Sequence, residues 1–139
     1  HKIEPYLRPL YDAMQALMPA DVLRRMEQAG TIEVAPLAYM RGRTLADAYI
    51  ILDEAQNTTR EQMKMFLTRM GERSRVVITG DITQVDLPRR RDSGLLQITQ
   101  LLAPFEEIGL IYFDRDDVLR HPLVRKIVHA YEEAIDSVD

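Results

Sequence analysis

The sequence predicts an α/β protein built on a parallel sheet, and three observations carry that prediction. Two short runs, "AYIILD" and "SRVVITGD", are continuously apolar, as in strands covered on both faces. Stretches between and after them repeat apolar residues at three- and four-residue spacing, the helical period. The resulting order of strand, helix, strand, helix, strand, helix is that of βαβ units joined by right-handed crossovers. In such a sheet the ligand site lies outside the carboxyl ends of the strands.

The chain opens helically: Tyr6, Leu7, Leu10, Met14, Leu17 and Met18 form one apolar stripe, Pro5 and Pro9 favour a helix start, and Pro19 ends it. "ADVLRRMEQAG" reads as a second short helix closed by Gly30, and "TIEVAP" as a strand stopped by Pro36. After "AYIILD", two registers can cap the next helix: Thr58 with Glu61, or Thr59 with Gln62. That helix sets Met63, Phe66, Leu67 and Met70 on one face as core packing, and Gly71 is read as its stop. "SRVVITGD" follows as a strand, then the polar loop "ITQVDLPRRRD", and "SGLLQITQLLA" as a helix ended by Pro104. "EEIGLIYF" reads as a last strand and "HPLVRKIVHAYEEAI" as a last helix with Pro122 in its first turn.

At 139 residues the chain is one domain's worth, with 46% apolar and 29% charged residues, the balance of an ordinary globular protein. A net charge of −4 exerts no global pull on nucleic acid or anionic membranes. Of the 18 basic residues 15 are Arg, whose planar fork suits phosphate and carboxylate, although genomic base composition explains such an excess equally simply. With no Cys there is no disulfide framework or thiolate metal site, and three His at 1, 121 and 129 are too dispersed for a zinc cluster. No apolar run reaches the roughly 18 residues that would span a bilayer, and no signal-peptide pattern opens the chain, so a cytoplasmic location is expected. The helical start at His1, without an initiator Met, reads as a fragment or processed piece.

Two strand tips carry the candidate chemistry. "YIILDEAQNTT" places Asp53 and Glu54 at the end of a buried strand, a Walker B pattern. A carboxylate there can hold Mg²⁺, which keeps most of its water and takes only one or two protein oxygens. Glu54, next along the pleat and pointing the other way, can orient or deprotonate a water that attacks a γ-phosphate. Taken alone the pattern also fits a strand that simply ends in solvent. The second tip, "TGDITQ", brings Thr79, Gly80, Asp81 and Gln84, 27 to 28 residues on for Gly80 and Asp81, about one βαβ repeat. Gly80 permits close backbone approach, and the Gln84 amide can donate to a phosphate oxygen or position water. The other reading of this tip is a turn in which Asp81 caps the residues after it. Arg89, Arg90 and Arg91, with Arg41 and Arg43, could neutralise phosphate charge in cis or reach a neighbouring subunit, or could be solvated loop residues. No phosphate cradle accompanies these tips: a P-loop needs G-x-x-x-x-G-K-[ST], and none of the six glycines is followed by Lys.

The concatenation "IEVAPLAYMRGRTLADAYIILDEAQNTTREQMKMFLTRMG…VVITGDITQVDLP…SGL", with "PYLRPLYDAM" before it and "DVLRHPLVRKIVHAYE" after, resembles the PhoH-like family of P-loop NTPases over nearly all 139 residues. The resemblance implies a three-layer RecA/helicase-like parallel-sheet fold, and a single partial domain over residues 1–139. Asp53 to Gln56 would be motif II, and Gly80, Asp81 and Gln84 motif III. It implies a cytoplasmic, ATP-binding protein in which Asp53 binds Mg²⁺, Glu54 activates water and Gln84 senses the γ-phosphate. Thr79, Gly80, Asp81 and Arg89 would also border the ATP. It further implies RNA-related or phosphate-starvation work and assembly into homo-oligomeric rings. The family's N-terminal strand and its Gly-Lys-Thr P-loop would precede His1, so the chain alone is expected to hold ATP poorly and to leave an open sheet edge or apolar face. The competing expectation is a non-catalytic module that binds protein or RNA with the same fold.

Overall fold

The computed structural model describes residues 7–136, which fall in two compact units, His1–Leu101 and Leu102–Asp139. The first holds a mixed α/β arrangement around a parallel sheet. Helix α1 (Arg8–Leu17) starts with Pro9 in its first turn, where a missing N–H costs nothing. Leu7, Leu10, Met14 and Met18 are half-buried on one face, joined there by Tyr11. Leu17, expected on that stripe, is 84% exposed in the last turn of α1, and Tyr6 lies outside the described residues. Burial, and then the Glu27 carboxylate beside it, push the Tyr11 hydroxyl above its ordinary pKa, a sign of contact with helix α2 (Ala20–Gln28). Gly30, at φ +74°, closes α2: its N–H reaches the Glu27 carbonyl at 3.0 Å while the Thr31 N–H reaches Met26 at 2.9 Å. These two bonds are a Schellman motif, which only a residue at ease in the left-handed region completes without strain.

Residues 31–36 do not form the expected strand. Their in–out alternation is real, with Ile32 and Val34 half-buried, yet a strand needs a ladder partner, and none of the described residues runs beside them. Strand β1 (Tyr49–Leu52) and strand β2 (Arg75–Ile78) do pair, parallel and in register Tyr49 with Arg75 through Leu52 with Ile78. Hydrogen bonds extend this pairing at both ends. Leu45 and Gly71 exchange bonds of 2.7 Å with the facing chain on the entry side, and at the exit Thr79 N–H donates to Leu52 and Ala55 N–H to Thr79. Asp47 and Arg73, both in the left-handed region, form an ion pair at the entry, with Glu72 adding a second contact to Arg73 at 3.1 Å.

The sheet is not covered on both faces within this unit. Ile50 and Leu52 are half-buried, whereas Tyr49 and Ile51 on the opposite face are 67% and 62% exposed. Continuous apolarity along β1 therefore provides for two faces, and the described residues cover one, in line with the open apolar face expected above.

Helix α3 (Arg60–Leu67) settles the capping register in favour of Thr59 and Gln62: each side chain bonds the other's backbone N–H, at 3.1 and 2.9 Å. Thr58 is turned inward instead, its hydroxyl on the Ala55 carbonyl at 2.6 Å. Met63 and Phe66 are buried and Leu67 half-buried, while Met70 lies past the helix end and is exposed. Gly71 is not the helix stop; Thr68 caps α3, and a Cβ at 71 would sit 2.9–3.0 Å from Thr44, Leu45 and Ala46, so Gly71 allows two chain segments to approach. Helix α4 (Gly94–Leu101) packs against α3 and against the 3₁₀ turn Ala55–Asn57, burying Leu95 and Ile98 beside Ala55, Met63 and Phe66.

In the second unit, residues 106–113 form no strand, and Ile111 and Phe113 are each 82% exposed. The apolar run has the composition of a strand, but no described residue offers it a ladder. Asp114 caps a 3₁₀ turn at Arg115–Asp117, and helix α5 (Pro122–Asp136) begins at Pro122 with His121 Nδ1 accepting from the Leu123 N–H. Glu132 of α5 pairs with Arg115 at 3.6 Å. No helix among the described residues is long and apolar enough to cross a membrane.

Gly94 sits where α4 meets the start of α3: a Cβ there would lie 2.6 Å from Met63 Cβ and 2.7 Å from the Thr59 carbonyl. Gly94→Ala should therefore destabilise the protein by roughly 1–3 kcal/mol through overpacking. Urea unfolding should show a lower midpoint at unchanged slope.

Candidate functional site

The site grows out of the last rungs of the β1–β2 ladder. Asp53 leaves β1 exposed, and its Oδ1 accepts the Thr79 hydroxyl at 2.9 Å across the two strand ends. A hydroxyl neutralises none of its charge, and the second oxygen stays open to solvent. Glu54 follows in the left-handed region, at φ 53° and ψ 40°. Its side chain is therefore aimed by a turn, not by the alternation of a pleat, which corrects the sequence-based geometry. A non-glycine residue in this conformation costs on the order of 1–2 kcal/mol, so the surrounding contacts must hold it there.

Those contacts centre on Gln56, which is 1% exposed. Its Nε2 donates to the Glu54 carboxylate, its Oε1 accepts from the Asp81 N–H at 3.1 Å, and its backbone carbonyl accepts the buried Ser93 hydroxyl at 2.8 Å. The side-chain amide thus ties the tip of β1 to the tip of β2, and the backbone carbonyl of the same residue ties both to the entrance of α4. Gly80 is required by the same packing, since a Cβ would meet Leu95 at 2.6 Å and Gln56 Oε1 at 2.8 Å. Beside it, Gly94 N–H donates to Thr58 at 2.7 Å, and Asp86 N–H to Asn57 Oδ1 at 2.8 Å, so the polar loop after β2 is sewn to the turn after β1.

Asp81 gathers the residues after it: Thr83 N–H at 2.9 Å and Thr83 Oγ1 at 2.6 Å on one oxygen, Gln84 Nε2 at 2.8 Å on the other. The turn reading of "TGDITQ" is thus realised in the structure. Gln84 is placed by that turn, exposed and next to the tips. Asp53, Glu54, Thr79, Gly80, Asp81 and Gln84 are accordingly brought together. Arg89 is spent differently, paired with Asp92 at 3.0 Å. Arg43 forks onto Glu33 at 2.7 and 2.9 Å, and Arg41 lines a cavity of about 260 Å³ with Leu37, Ala38, Gln62 and Met65. Among the described residues no cluster of three metal-ligating side chains occurs, so a cation here would rest on one or two carboxylates and water.

A family model for PhoH-like proteins matches residues 1–132. The chain belongs to the PhoH-like family. Among curated relatives it is similar to a PhoH-like protein of Bacillus subtilis (strain 168), 57% identical over 132 residues, which are 95% of this chain and 41% of that protein. A PhoH-like protein of Mycobacterium tuberculosis (strain ATCC 25618 / H37Rv) is 58% identical over 130 residues, 94% of this chain and 37% of the relative. Protein PhoH of Escherichia coli (strain K12) is 46% identical over 132 residues, again 94% and 37%. The chain thus spans about two fifths of the length of these PhoH-like relatives.

Sequence reasoning assigns no role of their own to Gln56 and Ser93, which the structure places at the centre of the site. A lone amide after two acids has no signature of burial, and nothing in "SGL" says that its hydroxyl reaches a carbonyl 37 residues away. The only local signal was the apolar context of Ala55 and Leu95 around them.

Gln56→Leu keeps the volume but strips both amide bonds. It should cost about 1–3 kcal/mol, because the partly buried Asp81 N–H loses its acceptor, and urea unfolding measures it. At the surface, the Arg43 hydrogen bonds hold the Glu33 carboxyl below its ordinary range, against a smaller opposing effect of burial. That lowered value means a small stabilisation present at neutral pH and lost as pH falls through it. Arg43→Gln should return the Glu33 titration, followed by NMR, to the ordinary carboxylate range.

Proposed function

We propose that this PhoH-like chain carries the Walker B and motif III half of an ATP-hydrolysing site with the RecA/helicase-like P-loop NTPase fold. In the whole cytoplasmic protein that hydrolysis drives RNA-related work, within a homo-oligomeric ring. The observation that supports it most is the Gln56 bridge. It ties Glu54 to the Gly80–Gln84 turn, and the Thr79 hydroxyl ties Asp53 alongside, at adjacent parallel strand ends, where α/β sheets bind ligands.

The residues fit a one-carboxylate Mg²⁺ site. Asp53 has one oxygen held by Thr79 and one open, and neither it nor Glu54 has a cationic partner among the described residues. When bound, Mg²⁺ would neutralise charge on the β- and γ-phosphates. Glu54 Oε1 is not the oxygen held by Gln56, so one carboxylate oxygen is oriented and the other is available to take a proton from the attacking water. Gln84, now resting on Asp81, is placed to exchange that carboxylate for a γ-phosphate oxygen, linking phosphate presence to the loop that follows. Thr79, Gly80 and Asp81 would border the nucleotide, and Arg89 could join them only by leaving Asp92.

The test is made on the full-length protein. ATP with Mg²⁺ should raise the melting temperature, and more so as ligand concentration rises. Glu54→Gln should keep that shift while turnover falls by about a hundredfold or more, the usual worth of a general base. Asp53→Asn should weaken the Mg²⁺-dependent part of the shift. Full hydrolysis by Glu54→Gln would sink the reading. So would the absence of any nucleotide response, which is what a non-catalytic interaction module predicts.

A further inference from the structure

Glu54 is the strand-tip residue whose own surroundings do least to aim it. It is exposed, it sits in the left-handed region at φ 53°, and no cationic side chain pairs with it among the described residues. A glutamate in solvent turns about several side-chain torsions, and a base that must meet one water at one angle loses rate for every wrong rotamer. The bond from Gln56 Nε2 to Glu54 Oε2 restricts that freedom. Gln56 is itself held from several directions. It is 1% exposed, Ser93 fixes its carbonyl at 2.8 Å, and Gly80 lies so close that a Cβ there would be 2.8 Å from Gln56 Oε1. Its amide has one orientation that satisfies both neighbours. The Asp81 N–H, 3.1 Å away, can only donate and so faces Oε1, which turns Nε2 toward a carboxylate that accepts. A flipped amide would set N–H against N–H and oxygen against carboxylate in a dry place.

We infer that Gln56 is a positioning residue for Glu54: its side-chain amide, set by the Asp81 N–H, fixes Oε2 and thereby aims Oε1 as the oxygen that takes the proton. The inference rests on the hydrolytic reading above for the role of Glu54, and deepens it by naming what holds the base in place. A neutral amide suits this position. A Lys or Arg could orient the same carboxylate, but its charge would favour the ionised form and make Glu54 a weaker base. The anchor is also shared with the second strand tip. Asp81 holds Gln56 through its backbone N–H and Gln84 Nε2 through its carboxylate, the latter at 2.8 Å. Base and phosphate-sensing amide therefore hang from one residue, so the turn after β2 sets the angle of a side chain that belongs to β1.

The experiment compares Gln56→Glu, Glu54→Gln and the double variant, which exchanges donor and acceptor, in the full-length protein. Gln56→Glu keeps the volume and an oxygen for the Asp81 N–H, but offers Glu54 a carboxylate in place of a donor. It should lower kcat about ten- to a hundredfold while KM and the melting shift caused by ATP with Mg²⁺ are nearly kept. Without nucleotide, Gln56→Glu should lower the melting temperature, and the double variant should regain most of that loss because the bond re-forms with its ends exchanged. Turnover of the double variant should equal that of Glu54→Gln, since no base is left to aim. Gly71→Ala, which crowds Thr44, Leu45 and Ala46 at the other end of the ladder, should lower the melting temperature with kcat kept. Unchanged kcat in Gln56→Glu would overturn the inference, as would an equal kcat loss in Gly71→Ala. So would a double variant that melts no higher than Gln56→Glu, because residues 54 and 56 would then not be bonded. A kcat in the double variant well below that of Glu54→Gln would also overturn it, because Gln56 would then act other than through Glu54. Should Gln56→Glu not fold, Gln56→Met is combined with Glu54→Gln instead, and losses of kcat that multiply overturn the inference. Full turnover by Glu54→Gln would sink the hydrolytic reading and this inference with it. Lost turnover in Glu54→Gln beside intact kcat in Gln56→Glu would sink the inference alone.

Discussion

A buried amide holds this site together. Gln56 spends its side-chain donor on Glu54, its side-chain acceptor on the Asp81 N–H and its backbone carbonyl on Ser93, so the ends of β1 and β2 and the entrance of α4 meet at one residue. Burying an amide is costly unless it is satisfied, and at 1% exposure Gln56 has no recourse to water. The cost makes the geometry specific: any slip between the strand tips leaves a donor or acceptor unpaired in a dry place. The short parallel ladder sets the two tips at the same height, and Gln56 then locks them.

Close packing follows from the same lock. Gly80 is the only residue type that lets β2 exit beneath Leu95 and Gln56, and Gly94 lets α4 start against Met63 and Thr59. Helix α4 is thereby pressed onto the 3₁₀ turn Ala55–Asn57, which seals Gln56 from solvent. The strained Glu54 conformation is supported from below by this contact, with Ala55 fully buried immediately after it. Strain at one exposed residue is tolerated because its neighbours on both sides are hydrogen-bonded or packed.

Much of this was legible in the residues, and the reasons for the rest are specific. The β1 and β2 runs, α3, α4 and α5 were visible because their periods and punctuation agree with the final packing. Asp53, Glu54, Thr79, Gly80, Asp81 and Gln84 were recognisable because strand ends concentrate such residues, and the ladder does bring them together. Residues 31–36 and 106–113 have strand composition but no partner among the described residues, and pairing is not a local property. The capping register stayed open in the sequence because Thr58 and Thr59 are chemically alike. Tertiary contacts separated them, Thr58 being drawn into the bond from Gly94. Gly71 and the aim of Glu54 were misjudged for a related reason: one depends on an approaching segment, the other on a backbone conformation that side-chain patterns do not announce.

Charged side chains are anchored in two different ways in the first unit. At the strand tips, Asp53 and Glu54 are held by neutral donors alone, a hydroxyl and an amide, which leave their negative charge uncancelled. Between the start of α3 and the loop before α4, Arg60 and Arg90 are held by backbone carbonyls alone. Elsewhere on the surface the fold pairs its ions directly, as in Arg43 with Glu33 and Arg73 with Asp47. Neutral anchoring at these two places, against ion pairing around them, keeps each side chain oriented without cancelling its charge. The Thr59–Ser93 bridge joins the two places through a few bonds of backbone and the Gln56 carbonyl.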